Sequence, residues 1–292
     1  MAIPFIRTFD PHYGEAVRVS PLLTRVVANN PGPFAFTGTG VYIAGDKDVA
    51  VIDPGPDLAE HVEALKRALD GRRVTHILVT HTHSDHSPAA RPLKAWSGAP
   101  TYGFGPHGFG RDDGPKVEAG GDMDFVPDVF VKDGDVIAGN GFTFDCVHTP
   151  GHTSNHMCFA LREEKALFTG DHVMGWSTTV VTPPDGDMAD YIASVEKLQG
   201  RDDAILYPTH GAPVTEPKPF LAAYREHRLD REAQVLASIV AGRDTVPAMV
   251  AHIYADVDVR LHPAASRSVL AHLIKLEREG RVARAGERYR LS

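Results

Sequence analysis

The densest chemistry in this 292-residue chain is Thr-His-Thr-His-Ser-Asp-His at 80–86, where His81, His83, Asp85 and His86 fall within six positions. Neutral imidazole is the commonest protein metal ligand and carboxylate a frequent companion, so such a run on a tight loop can chelate a cation. A histidine tract alone can also be a fortuitous binding surface. Three more motifs argue against that: Thr-Pro-Gly-His-Thr at 149–153, Phe-Thr-Gly-Asp-His at 168–172 and Tyr-Pro-Thr-His-Gly at 207–211 offer His152, Asp171 and His210. Seven donors exceed what one ion needs, because tetrahedral zinc takes four ligands and a catalytic zinc three from protein. If Asp171 lends one oxygen to each of two ions, the set is shared at about 3.5–4 Å, the spacing of two-metal hydrolytic sites. These ligand types accept zinc, manganese and iron. Two zinc ions are the expectation, with manganese or iron as alternatives.

The elements that position these donors are read from periodicity. Short β-rich runs at 41–44, 49–52 and 76–80 are expected strands, followed by strands at 142–148, 156–161 and 204–207. Leu58, Val62, Leu65 and Leu69 recur at helical spacing between Asp57, an expected N-cap, and Gly71; a second helix is expected near 187–199. Each candidate ligand thus follows a strand, where loops from neighbouring strands converge at one rim. From Pro217 the pattern becomes helical: 220–241, then 246–254, then a helix after His262-Pro263 with Val269, Leu273 and Leu276 on one face. An alternating hairpin at 281–291 completes a helix, helix, helix, hairpin order, that of a winged helix. The expected division is a catalytic part at 1–216 and a linker helix with winged-helix domain at 217–292.

Composition bounds the class. The chain is 42% apolar and 23% charged, ordinary globular values that exclude collagen, coiled coil and disorder. Residues 217–292 carry 13 of the 30 basic and 9 of the 38 acidic side chains, net +4, which leaves net −12 in 1–216. A basic tail is a pointer to a polyanion and equally an ordinary solvated face. The sequence shows no secretory-signal layout in its first residues and no apolar run of membrane-spanning length, so no membrane association is expected. With only two cysteines, Cys146 and Cys158, both in strand patterns, the expected home is the reducing cytoplasm.

The histidine and aspartate motifs, read together, resemble the metallo-β-lactamase superfamily over nearly the whole chain. The resemblance implies an αββα sandwich with the site at one edge of two sheets, followed by a small winged-helix domain. It also implies that His81, His83 and His152 hold one metal, that Asp85, His86 and His210 hold the other, and that Asp171 bridges them. Class B1 β-lactamases carry cysteine at the position of Asp171 and arginine at that of His86, so antibiotic hydrolysis is disfavoured. Closer are proteins of the β-lactamase-like-protein-2 type, which have a C-terminal winged helix and stretches similar to Asn30–Phe34, Ile52–Pro56, Gly170–Thr178 and His227–Glu232. The mammalian member is described as an endoribonuclease. Departures are Gly40, where the family commonly has asparagine, and Thr209, where it commonly has glycine.

Metal-bound hydroxide, available at neutral pH, predicts hydrolysis. The first expected substrate is a phosphodiester, RNA in particular. The alternatives are a thioester or lactone, as for glyoxalase II, and a non-catalytic, metal-sensing winged-helix regulator. Asp85 is a candidate for orienting the nucleophile or protonating the leaving group. Asp53 either fixes a ligand imidazole or serves the Asp-Pro-Gly turn. His148, His156 and His172 read as structural. Tyr102, His107, Met174 and Trp176 are candidates to line a pocket, with the glycine-rich 98–121 stretch either a flexible lid over it or only a long surface connection. Arg260, Arg267, Lys275, Arg284, Arg288 and Arg290 are expected either to form a nucleic-acid-binding face or to be solvated charge, with the tail alternatively shaping the site or making an oligomer contact.

Overall fold

A computed structural model describes residues 3–109 and 120–292. The first sheet runs in chain order: β1 (Val17–Arg18), β2 (Leu23–Val27), β3 (Gly40–Gly45), β4 (Asp48–Ile52), β5 (Arg73–Leu78), β6 (Thr101–Gly103) and β7 (Val129–Phe130). Its first four strands are antiparallel; β4, β5, β6 and β7 are mutually parallel, and helices α1 (Ala59–Ala68) and α2 (Ala90–Ser97) carry the chain back from β4 to β5 and from β5 to β6. The second sheet has the order β12-β11-β10-β9-β8, with β8 Val136–Ala138, β9 Thr143–His148, β10 Met157–Leu161, β11 Ala166–Gly170 and β12 Ile205–Pro208. Helices α3 (Met188–Gln199) and α4 (Pro217–Val240) cover its outer face.

Strand alternation builds the layers. In β10, Met157, Phe159 and Leu161 point into the core between the sheets, while Cys158 and Ala160 point outward among α3 and α4 side chains. In β4, Ala50 and Ile52 face the inter-sheet core, and Val49 and Val51 face α1 and α2 residues such as Leu65 and Leu93. Strands buried on both faces read as unbroken apolar runs, which is why 41–44 and 49–52 were legible. The product is an αββα sandwich. Both cysteines are free, buried thiols. Among the described residues, no helix is long and apolar enough to cross a membrane.

The tail forms its own core. Val235 and Ile239 of α4 pack with Met249 and Val250 of α5 (Val246–Ile253), with Val269, Leu273 and Leu276 of α6 (His262–Arg278), and with Val282 and Tyr289 of the hairpin β13 (Val282–Ala285) and β14 (Arg288–Leu291). This is a winged helix. Helix α4 belongs to both cores, since its first turns put Phe220, Leu221 and Tyr224 against the second sheet. One detail differs from expectation: Asp57 does not cap α1. Leu58, in extended conformation, takes the N-cap position after the Pro54-Gly55-Pro56 turn, and no side chain caps the helix.

Candidate metal centre

Four strand ends and one loop deliver the donors. His81 follows β5, His152 follows β9, Asp171 follows β11 and His210 follows β12, while His83, Asp85 and His86 ride the loop after His81. Two groups result: His81, His83, His152 and Asp171, and Asp85, His86 and His210, each with one donor atom per residue lying within 4.8 Å of the others. In the first, His83 Nδ1 is 3.0 Å from His81 Nε2 and 3.1 Å from His152 Nε2. Nitrogens bound tetrahedrally at 2.0–2.1 Å from zinc would sit about 3.3 Å apart, so these imidazoles already converge on one point. Asp171 faces both groups: Oδ2 is 3.8 Å from His152 Nε2, and Oδ1 is 3.3 Å from His210 Nε2 and 3.6 Å from His86 Nε2. Asp85 completes the second group, with Oδ2 at 3.3 Å from His210 Nε2 and Oδ1 at 3.6 Å from His86 Nε2.

The opposite ring nitrogens are spoken for. His86 Nδ1 meets Asp53 Oδ2 at 3.0 Å, His210 Nδ1 the Gly38 carbonyl at 3.1 Å and His152 Nδ1 the Val180 carbonyl at 2.7 Å. A proton on each Nδ1 leaves Nε2 as a lone-pair donor toward the group centre. Asp53 lies in its turn and also contacts a donor imidazole. It holds the turn, at φ +47°, and its carboxylate accepts from Thr80 N and Oγ1 and from Thr209 Oγ1 besides contacting His86. Gly170, at φ +51°, lets the chain turn into Asp171; a Cβ there would stand 2.6 Å from His156 Nε2 and Thr80 Oγ1.

The buried donors carry opposite charges that sustain one another against burial. Burial opposes a proton on His86, but the carboxylates of Asp85, Asp171 and Asp53 outweigh it and raise its pKa well above the ordinary imidazole value. His210, likewise opposed by burial, is pushed up to about 10 by Asp171 and Asp85. Burial works against ionising Asp171 too, yet His210 and His86 hold its carboxyl well below the usual range. His86 Nε2 and Asp171 Oδ1 are buried with no hydrogen-bond partner. Orphaned donor atoms of a basic imidazole and an ionised carboxylate, aimed at a common point, fit divalent cations.

Around the donors, the expected pocket residues divide. The His107 ring lies 6.1 Å from that of His83, with Nδ1 2.9 Å from Thr82 Oγ1. Trp176 stacks on Phe36 at 4.7 Å beside Gly211, next in sequence to His210. Tyr102 instead packs on His76 at the inter-sheet core, and Met174 is buried with its backbone held by the Tyr224 hydroxyl. Residues 110–119 of the expected flexible stretch lie outside the described residues. His156 and His172 are fully buried behind His81, and His148 stacks on Phe104 at 4.0 Å. Sequence reading missed Thr39, whose hydroxyl donates to Asp85 Oδ2, and Thr179 and Arg228, which brace the loop after Asp171. The two departures, Gly40 and Thr209, meet: Gly40 N donates to Thr209 O at 2.7 Å, and a Cβ at 40 would stand 3.0 Å from that oxygen.

The tail corrects one expectation. Lys275 is not on an outward basic face; it is turned in on Glu232 at 2.8 Å and Glu279 at 2.7 Å, because Glu232 is buried and needs a counter-charge. Arg260 and Arg288 pair with Asp258 and Asp244 of their own domain, and Arg284 lies over Tyr289.

Comparison with known proteins follows the two folding units. Residues 35–210 match the Metallo-beta-lactamase superfamily, and residues 245–290 match the Beta-lactamase associated winged helix domain. The chain is 29% identical to the Caenorhabditis elegans protein named Beta-lactamase-like protein 2 homolog, over 92% of this chain and 88% of that one. It is 32% identical to an Aspergillus chevalieri protein named Atrochrysone carboxyl ACP thioesterase, over 80% of this chain and 70% of that one. Its fold superposes on the crystal structure of a beta-lactamase domain protein from Burkholderia ambifaria with TM-score 0.80 at 20% identity, covering all of this chain and 97% of the other.

Proposed function

Because the chain belongs to the metallo-β-lactamase superfamily, we propose that it is a dinuclear metal-dependent hydrolase whose substrate is an acyl thioester. The observation that carries the dinuclear reading is Asp171, with one oxygen toward each donor group. Two divalent cations held by these donors, zinc by default and manganese or iron alternatively, would supply Lewis acidity and lower the pKa of a bound water toward neutrality. The chain supplies position: Asp53, Gly38 and Val180 set the tautomers of His86, His210 and His152.

The leaving group argues for a thioester. Asp85 sits among the donors of the second group and would coordinate as an ionised carboxylate, so it would have no proton to give the leaving group. The same holds for a histidine once its Nε2 binds a cation. A thiolate, with a parent thiol pKa of about 8.5, departs unprotonated far more readily than an alkoxide. The named activity of the Aspergillus chevalieri relative points the same way. A phosphodiester, RNA in particular, is the second reading, favoured by the net +4 of residues 217–292 and the likeness to the β-lactamase-like-protein-2 homolog. The two buried free thiols suit a reducing, cytoplasmic setting.

The test is metal-loaded protein assayed side by side on a glutathione thioester, a lactone, a phosphodiester and single-stranded RNA, with Asp171→Ala as control. Thioester hydrolysis that disappears in the variant is the expected result. RNA cleavage without thioester hydrolysis reverses the order of the readings. Bound metal with no turnover of any of them points to the regulator.

A further inference from the structure

The His-Arg-Leu-Asp-Arg-Glu stretch at 227–232 lies on α4, outside the donor set, yet two of its side chains are buried: Arg228 is 3% and Glu232 5% exposed. One helical turn apart, they reach in different directions. Arg228 enters the catalytic part, where Nη2 donates to the Thr179 carbonyl and the guanidinium lies 4.8 Å over the Tyr191 ring. Glu232 holds the tail through Lys275 Nζ and Arg281 Nη1, each at 2.8 Å. No carboxylate among the described residues pairs with Arg228, so a buried cation is kept there for a backbone carbonyl and an aromatic face.

The carbonyl it holds is well placed. Thr179 Oγ1 donates to the Asp171 carbonyl and lies 3.3 Å from that of His172. The next residue, Val180, gives its carbonyl to His152 Nδ1 at 2.7 Å. Tyr191, under the guanidinium, donates its hydroxyl to the His172 carbonyl at 2.7 Å. A single dipeptide, Thr179-Val180, therefore ties the backbone of Asp171 to the imidazole of His152, and Arg228 anchors that dipeptide from the helix that leads into the winged helix.

We propose that Arg228 is a positioning residue of the metal centre: by fixing Thr179-Val180 it sets Asp171 and His152 together, and so couples cation affinity to the seating of α4. This rests on the metal-binding reading above but not on the thioester assignment, because its readout is ion binding. A chain that binds its ions and hydrolyses no thioester fails that assignment and leaves this test intact.

The experiment compares wild type with Arg228→Met, Thr179→Val and Glu232→Gln in the full chain, titrating Zn2+ against a chromophoric chelator and following thermal unfolding of the metal-free proteins. Arg228→Met and Thr179→Val should weaken at least one of the bound ions about 10–100-fold, the range for groups that orient a ligand. Glu232→Gln loosens the tail without touching the 179–180 dipeptide, and should lower the unfolding temperature while holding ion affinity within about threefold. Wild-type affinity in a folded Arg228→Met protein overturns the proposal. If that variant does not fold, wild-type affinity in Thr179→Val does so. A loss in Glu232→Gln as large as in Arg228→Met also overturns it, since the effect would then be general loosening.

Discussion

Asp53 accepts from Thr80 twice and from Thr209 once, and still contacts His86 Nδ1. Asp53→Asn turns one accepting oxygen into a donor and removes the charge that holds the His86 tautomer. We expect metal affinity and turnover to fall about 10–100-fold, read by chelator competition and steady-state rates, with the fold retained by circular dichroism. Wild-type affinity in this variant would show that the carboxylate serves only the turn. At this scale the sequence was informative about donors and silent about their supports. His81, His83, Asp85, His86, His152, Asp171 and His210 announce themselves by residue type and by their place after strands. The Gly38 and Val180 carbonyls and the Thr39 hydroxyl carry no such signature, because they act across gaps in sequence that only the fold closes.

Helix α3 begins at a side-chain cap. Asp187 accepts from Ala189 N at 2.8 Å and Asp190 N at 3.1 Å, and it also pairs with Arg278 of α6. Asp187→Ala should cost about 1 kcal/mol through the cap, with little added by the Arg278 pair, whose arginine is half-exposed. Urea unfolding of the metal-free protein checks this, and a loss well above 2 kcal/mol would mean that the α3–α6 contact matters more than the cap. Long elements such as α3, α4 and α6 and the doubly buried strands β3, β4 and β10 were legible because their periodicity runs for several residues. Strands β1, β6, β7 and β8 have two or three residues each, too few for an alternation to register. Helix α2 escaped for a different reason: it has eight residues and no capping side chain.

Across the whole molecule, the tail is docked partly by charge. Burial raises the Glu232 pKa, but His272 and Lys275 of α6 and Arg281 outweigh it and bring it down to about 2. A carboxylate whose folded pKa lies below its unfolded value stabilises fully above about pH 4.5, and that contribution is lost as pH falls toward 2. Wild type should therefore lose its stability advantage over Glu232→Gln as pH drops from about 5 to 2, measured by thermal unfolding across that range. A gap between the two proteins that stays constant with pH would remove Glu232 from the docking. Residues 1–216 carry net −12 without cations, so an anionic substrate of the proposed enzyme would be drawn only by bound metals and by the net +4 of residues 217–292. Hydrolysis, substrate attraction and the positioning roles all require bound cations, which elemental analysis of metal-reconstituted protein would count. About two divalent ions per chain are expected, falling in Asp171→Ala; fewer than about one ion in wild type, or an unchanged count in the variant, would contradict a dinuclear centre bridged by Asp171.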